Sequence, residues 1–139
     1  MDIFTFVGQE WLLITVLFAL IALLMATTRK DSGLPIPTSE LVQLMNSKEA
    51  ILVDVRPASD FNAGHVFGAI NIPHSQLVGR ISELEKYRDK LIVVADQMGQ
   101  HAGSAGKLLK TNGFQVRRLN GGISSWRQDS LPLVRAGKG

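Results

Sequence analysis

The stretch ILVDVRPASDFNAGHVFGAINIP, residues 51–73, contains two short apolar runs separated by a polar segment. Residues 50–55, AILVDV, are apolar apart from one aspartate, which is typical of a strand that is buried on both faces. Residues 58–66 predict a polar helical turn closed by a glycine, and residues 69–73 predict a short strand that stops at Pro73. The order strand, helix, strand is typical of a parallel sheet.

The same alternation continues on both sides of this stretch. Before it, residues 38–47 predict a short helix that begins at a Thr or Ser cap. After it, the pattern predicts an amphipathic helix at 75–90, a strand at 91–95, a helix at 103–113, a strand at 114–119 and a terminal helical turn at 121–130. Short apolar strands that alternate with helices predict an α/β sandwich with a central parallel sheet, covered on both faces, over residues 38–135.

In such folds the functional site forms at the carboxyl ends of the strands. Three loops of the predicted sheet lie there and are rich in polar residues and glycine, at 54–57, 96–103 and 120–122. The loop at 96–103 joins an apolar strand to a helix, a geometry that suits a reactive group or a bound anion. However, this loop offers an Asp, a Gln, a Met and a His, and the chain contains no cysteine.

Residues 51–73 resemble the opening signature of rhodanese domains: a strand, Asp-Val-Arg, a turn with an aromatic residue, then Gly-His-Val, Gly-Ala and Asn-Ile-Pro. LNGGISSW at 119–126, followed by LPLV at 131–134, is similar to the closing signature of that family. The resemblance covers about residues 36–135 and implies a rhodanese-like three-layer sandwich. The signature residues of this chain are Asp54, Arg56, Gly64, His65, Gly121, Gly122 and Trp126.

We expect structural roles for these signature residues. Asp54 ends a buried strand, where a carboxylate can accept backbone N–H bonds or pair with Arg56. His65 is expected to hydrogen-bond the backbone of its turn, and Trp126 to lie in the core with its N–H satisfied. The paired glycines supply backbone freedom or close approach, and His74 is expected on the surface.

Active rhodaneses begin the loop at 96–103 with a cysteine, which becomes a persulfide and passes its sulfur to an acceptor. Alignment on the flanking strand and helix places Asp96 at the cysteine and Gly99 at the central glycine of the loop, with His101 and Ala102 at its closing Arg-Ser. A carboxylate forms no stable persulfide, and loss of the Arg removes a bidentate anion clamp. The resemblance therefore implies a catalytically inactive loop without sulfurtransferase or cysteine-phosphatase activity, consisting of Asp96, Gln97, Met98, Gly99, Gln100, His101 and Ala102.

Other chemistries remain open for this loop. Asp96 could accept a phosphoryl group with the help of Mg²⁺, Asp96 and His101 could bind a metal, and His101 could carry a phosphate. Two ligands make a weak metal site. We therefore expect no metal and no cofactor, and hypothesise that Asp96 and His101 brace the loop by hydrogen bonding to each other or to loop amides.

Residues 11–28, WLLITVLFALIALLMATT, carry no charge. A helix of that length spans roughly 27 Å, close to the thickness of the hydrocarbon layer. We expect an N-terminal tail and a single transmembrane helix in residues 1–28, with Trp11 at the interface. A buried core helix would need an amphipathic stripe, and a cleaved signal peptide would need a basic n-region, where this chain has Asp2 and Glu10.

Arg29 and Lys30 follow this span directly, while no basic residue precedes it. The positive-inside rule then predicts a single-pass protein of the plasma (inner) membrane, with its N-terminus outside and its α/β domain in the cytoplasm. Residues 29–37 predict a linker with two prolines, and residues 136–139 predict a flexible tail.

All 15 Lys and Arg but only 10 of the 12 acidic residues follow residue 28, so the remainder of the chain has a net charge of +5. That mild basicity suits an anionic membrane leaflet and is too scattered for nucleic acid. We expect the lipid bilayer as one partner, through residues 11–28, and a protein at the membrane as another, through the loop at 96–103 or the arginines at 117 and 118. One alternative is residual transfer or hydrolase activity of the loop, and another is a helix that assembles through Ala19, Ala22 and Ala26.

Overall fold

The computed structural model describes residues 2–135, with side chains for residues 2–26 and 33–135. The chain divides after Lys30 into two units. The tail predicted at residues 136–139 and the side chains of Arg29 and Lys30, which were expected to flank the membrane, lie outside the described residues.

The first unit is helix α1, Ile3–Ser32. Its segment Ile3–Ala26 is 24 residues long, has a mean hydropathy of 2.1 and buries none of its apolar side chains in the structure. A helix of this length and composition is able to span a membrane, a property that signal sequences and some core helices of soluble proteins share. Trp11 is exposed on its surface.

The second unit is built from five strands and five further α-helices. The strands are β1 Leu34–Ile36, β2 Ala50–Asp54, β3 Ile70–Asn71, β4 Leu91–Ala95 and β5 Gln115–Leu119. The helices are α2 Thr38–Asn46, α3 Ala58–Ala63, α4 Leu77–Arg80, α5 Ala102–Thr111 and α6 Gly122–Gln128, with 3₁₀ turns at His74–Gln76 and Ile81–Tyr87.

All five strands form one parallel sheet in the order β1-β5-β4-β2-β3. β2 lies between β3 and β4, and Asp54 at its carboxyl end is in register with Ala95 at the end of β4. The residues that follow these two strands therefore meet at one edge of the sheet. The predicted parallel α/β fold is confirmed.

Alternate residues of each central strand enter two separate cores. On β4, Ile92 and Val94 pack with Leu109 of α5, whereas Val93 and Ala95 pack with Trp126 of α6. Since successive side chains of a strand point to opposite faces, a strand with apolar residues at every position requires helices on both sides. The sheet is thus the middle of three layers, as the resemblance implied.

The prediction of a linker at residues 29–37 is wrong for most of these residues. α1 continues to Ser32, and Leu34–Ile36 pair with Arg117–Leu119 as an edge strand. Only Gly33 separates the helix from the strand. Pro35 is tolerated because its strand lies at the edge of the sheet, where one side of the backbone needs no partner.

The amphipathic helix expected at 75–90 is present as three short helical pieces. Leu77 and Leu84 are buried as the pattern requires, but Arg80 leaves the helical conformation with φ −121° and ψ 10°. Gly79 just before it has low helix propensity, which favours a break at this point. The cap expected for α2 also differs, since the N-cap is Pro37 and the Thr38 hydroxyl donates to the Asp129 carboxylate instead.

Candidate functional site

A buried ion pair closes the carboxyl end of β2. Arg56 donates from Nη2 to Asp54 Oδ2 at 2.8 Å and from Nε to Oδ1 at 3.0 Å, and the two residues are 3% and 0% exposed. Arg56 Nη2 also donates to the carbonyl of Gly64 at 2.7 Å, while Asn71 Nδ2 bonds the carbonyls of Asp54 and Arg56. The pair is thus a brace between β2, β3 and the end of α3.

His65 extends this brace. Its Nδ1 lies 2.8 Å from the carbonyl of Phe61, and its ring stacks on the Phe61 ring with centroids 3.8 Å apart. Its backbone pairs with Val134, so it fixes the segment around Val134 against the end of α3. The contributions of Asn71 and Phe61 were not anticipated from the sequence.

The second polar corner is the loop that follows β4. Asp96 is 2% exposed, and its carboxylate accepts hydrogen bonds from the backbone amides of Gly99, His101 and Ala102. Gly99 has φ +107°, a conformation that glycine adopts at low cost and that turns the loop back over the carboxylate. Ala102 begins α5, so the carboxylate also lies at a helix N-terminus, where negative charge is favoured.

The backbone of this loop is docked on the start of α6. The Asp96 carbonyl accepts from the Ile123 amide at 2.8 Å, and the Gln97 carbonyl accepts from the Ser124 amide at 3.0 Å. Gln97 Nε2 donates to Ser124 Oγ at 3.2 Å. Two amides of the first turn of α6 therefore hold the loop backbone. The Asp96 carboxylate is held by two amides of the loop and by the first amide of α5.

The two glycines at the start of α6 make this docking possible. Gly121 and Gly122 have φ +74° and +62°. A Cβ on Gly122 would lie 2.4 Å from the carbonyl oxygen of Asp96 and 2.8 Å from that of Gln97. Both the conformation and the close approach exclude a side chain. Trp126, one turn later, is buried and donates from Nε1 to the carbonyl of Pro132 at 3.0 Å.

Two histidines stack beside the loop. The rings of His74 and His101 lie 3.8 Å apart and are parallel within 4°. Both residues are exposed, as are Met98 and Gln100. His74 was expected on the surface, but its contact with His101 was not foreseen, and its only signal in the sequence is its place directly after Pro73, at the carboxyl edge of the sheet.

This geometry limits what the loop can do chemically. The Asp96 carboxylate is enclosed by loop amides, so it reaches neither an external phosphoryl group nor a metal without leaving them. Within residues 33–135, the hydrogen bond from His101 to Asp96 comes from the backbone amide and not from the imidazole. The part of the chain that the structure describes holds no group of three or more metal-ligating side chains.

Comparison with known proteins identifies the fold. The family model of the rhodanese-like domain matches residues 37–129. The chain belongs to the rhodanese-like domain family.

Relatives of this rhodanese-like chain differ in size and in name. The uncharacterized protein YibN of Escherichia coli is 35% identical over 139 residues, which cover 96% of this chain and 97% of YibN. The thiosulfate sulfurtransferase GlpE of Shewanella oneidensis is 33% identical over 91 residues, 65% of this chain and 88% of GlpE. A rhodanese-related protein of Thermoplasma volcanium, whose crystal structure is known, has a TM-score of 0.67 and 30% identity, and covers 73% of this chain and 97% of its own.

These findings confirm a rhodanese-like domain without cysteine, which fits a protein that is not a sulfurtransferase. The two arginines considered as a contact surface lie on β5 and are half-buried. Arg118 donates from Nε to the carbonyl of Gly33 at 2.9 Å, so it braces the start of β1.

Proposed function

We propose that this chain is a membrane-anchored, catalytically inactive rhodanese-like protein that binds a protein partner at the cytoplasmic face of the plasma membrane. The observation that carries the proposal is the buried Asp96 carboxylate, which accepts hydrogen bonds from three loop amides. Under this proposal it takes the place of the thiolate of an active rhodanese. A fold that keeps the geometry of its loops without a nucleophile is well suited to binding.

Membrane anchoring is supported by the composition of α1. The apolar segment Ile3–Ala26 is long enough to cross the hydrocarbon layer and exposes its large apolar side chains. The first basic residues of the chain, Arg29 and Lys30, follow that segment, which favours a cytoplasmic location for the rhodanese-like domain.

The surface proposed for the partner is the loop face, defined as Met98, Gln100, His101 and His74. All four residues are exposed, and the loop beneath them is held by Asp96 and by α6. The exposed methionine of this face offers an apolar and adaptable contact. A rigid backbone below such a surface lowers the entropy that binding would remove.

Photocrosslinking tests this surface in native membranes. A benzoylphenylalanine at position 98 is expected to give a discrete adduct with one partner, and the same group at exposed Lys107 on α5 is expected to give none. The adduct is expected to disappear in the Asp96→Arg protein, whose loop must open, and in the His101→Glu protein, whose loop backbone is unchanged. Equal adducts from positions 98 and 107 would exclude a partner site on the loop face.

The enzymatic alternative makes a different prediction. Residual transfer or hydrolase activity would require Asp96 or His101 to reach a substrate, and the burial of Asp96 weighs against this. We expect no thiocyanate from thiosulfate and cyanide, and no phosphatase activity with added divalent metals. A metal-dependent activity that is lost in the His101→Ala protein would favour the enzyme over the binding module.

A further inference from the structure

A groove lies at the edge of the sheet where the parallel strands begin. None of the residues of the loop face lines it. Lys48 lies just before β2 and Lys90 just before β4, so both lie at this amino-terminal edge, opposite the Asp96 loop. Met45 and Phe67 line the groove with the two lysines, and its volume is about 370 Å³. The groove is therefore part apolar and part cationic.

Two large apolar side chains are exposed at this edge. Phe67 is 80% exposed, and Leu34, the first residue of β1, is 47% exposed. Aromatic rings are enriched at the level of lipid headgroups, and lysines beside them are attracted to anionic lipids. An exposed phenylalanine flanked by lysines matches that interface better than it matches a surface that faces only water.

Lys48 occupies a backbone conformation that normally selects glycine. Its φ is +62°, and it follows the C-cap of α2, where its amide donates to the carbonyl of Met45 at 3.1 Å. Left-handed residues at this point of a helix end are usually glycine, because a Cβ is strained there. The chain thus holds a cation at a strained position that glycine would satisfy better.

The residue that follows α1 in the sequence lies at the same edge of the sheet. Gly33 alone separates α1 from β1, and it precedes a strand of the same parallel sheet. Its φ is +86°, a Cβ on it would lie 2.8 Å from the carbonyl oxygen of Val116, and its carbonyl accepts from Arg118. Gly33, the residue that follows α1 in the sequence, is therefore held against β5.

From these observations we infer that the groove edge, defined as Leu34, Lys48, Phe67 and Lys90, contacts the surface of an anionic bilayer. The inference rests on the proposed membrane anchoring by α1 and adds a second membrane contact, made by the domain itself. Glu49 and Asp89 neighbour the two lysines in sequence, but neither lines the groove. A consequence is that the loop face, at the opposite edge of the sheet, is turned away from the lipid and is free for a partner.

The absence of cysteine makes a direct test practical, because each introduced cysteine is a unique labelling site. The full chain, placed in nanodiscs of phosphatidylcholine with phosphatidylglycerol, receives a fluorophore at Phe67→Cys, Met98→Cys or Ala19→Cys. Phe67 and Met98 are matched as large exposed side chains on opposite edges of the sheet, and Ala19 lies in α1. Lipid-borne and aqueous quenchers then report the surroundings of each label.

We expect the label at position 67 to be quenched several-fold more strongly by lipid-borne quencher than the label at position 98, with the reverse order for aqueous iodide. Lys48→Glu together with Lys90→Glu is expected to remove the lipid quenching at position 67, as is a change to pure phosphatidylcholine. Unchanged near-ultraviolet circular dichroism would show that the double variant is folded.

The other outcomes overturn the inference in distinguishable ways. Lipid quenching at position 19 with equal iodide access at 67 and 98 would leave the anchor intact and exclude the domain contact. A label at 67 that is shielded from iodide but not quenched from the lipid would show that a second copy of the chain covers the groove. Absence of lipid quenching at position 19 would overturn the anchoring itself, and this inference with it.

Discussion

Two buried aspartates lie at the carboxyl ends of neighbouring strands and carry their charges in different ways. Asp54 ends β2 and is neutralised by the guanidinium of Arg56. Asp96 follows β4 and is stabilised by three backbone amides at the start of α5. The first corner joins pieces of the fold, whereas in the second a loop folds its backbone amides around its own carboxylate.

The difference shows two ways in which a fold can hold a buried carboxylate. The Asp54 corner is complete without a ligand because both charges belong to the chain. The Asp96 corner is also complete without a ligand, because the three loop amides donate to a carboxylate of the same chain. The two corners therefore differ in what remains when the carboxylate is removed. Loss of the Asp54 carboxylate leaves a buried cation, and loss of the Asp96 carboxylate leaves backbone amides without an acceptor.

The largest effect is expected for Asp54→Ala, which leaves the Arg56 guanidinium buried without its carboxylate. Removing one partner of a buried ion pair costs about 3–5 kcal/mol of the free energy of unfolding. Denaturant unfolding of the full chain in detergent, followed by the fluorescence of buried Trp126, measures the loss. Asp60→Ala, at an exposed position on α3, is the control, and an equal loss in both variants would contradict the role of the ion pair.

The next effect is expected for Gly122→Ala. A left-handed conformation and a Cβ within 2.4 Å of the Asp96 carbonyl oxygen both oppose a side chain. We expect a loss of about 2–4 kcal/mol, together with faster hydrogen exchange at the Ile123 amide. Gly79→Ala is the matched control because that glycine is helical and its Cβ would meet open space, so a neutral or slightly stabilising change is expected.

Asp96→Asn sharpens the comparison of the two corners. The carboxamide keeps the shape of the side chain but directs an NH₂ group at one of the amides that a carboxylate oxygen accepts. We expect a loss of about 1–3 kcal/mol, smaller than that of Asp54→Ala because no buried cation is left behind. Gln100→Asn on the exposed part of the loop serves as the control. A loss as large as that of Asp54→Ala would show that the charge itself, rather than its hydrogen bonds, holds the loop.

Much of the fold follows from residues that can be recognised in the sequence. The unbroken apolar runs at 50–55 and 91–95 require cover on both faces, which predicts parallel strands between helices. Asp-Val-Arg at the end of the first run places an acid and a base within two residues at a buried position. Proximity in sequence made this pairing predictable, and the observed distances agree with it.

The parts that escaped prediction depend on contacts between distant segments. The stacking of His74 on His101 joins residues 27 positions apart, and neither has a local pattern that indicates the other. The edge strand at 34–36 is not predicted from the sequence because the prolines at 35 and 37 favour a loop, whereas its pairing with β5 is decided by the sheet. The bonds from loop amides to Asp96 are one of the two arrangements hypothesised from the sequence, because a carboxylate at the start of a Gly-containing loop can accept from nearby backbone amides.

The smallest effect is expected at the exposed ion pairs of residues 80–88, which contrast with the buried pair at Asp54. Hydrogen bonding from Arg80 lowers the pKa of Glu83, and hydrogen bonding from Arg88 lowers that of Glu85, with smaller Coulomb contributions from the same arginines. Since the folded-state pKa is below the unfolded one, each pair stabilises the protein above the ordinary glutamate pKa and stops doing so as the pH falls through the lowered value.

Glu83→Gln with Glu85→Gln therefore lowers the free energy of unfolding slightly at neutral pH, and the difference from the parent protein disappears in acid. High salt is expected to remove it as well, because exposed charges are screened. The loss caused by Asp54→Ala is expected to persist in high salt, since Asp54 and Arg56 are shielded from solvent ions. Unfolding measured across pH and salt for both proteins separates the two cases. A loss at Asp54 that shrinks in high salt would show that the Asp54–Arg56 pair is open to water and would contradict its burial.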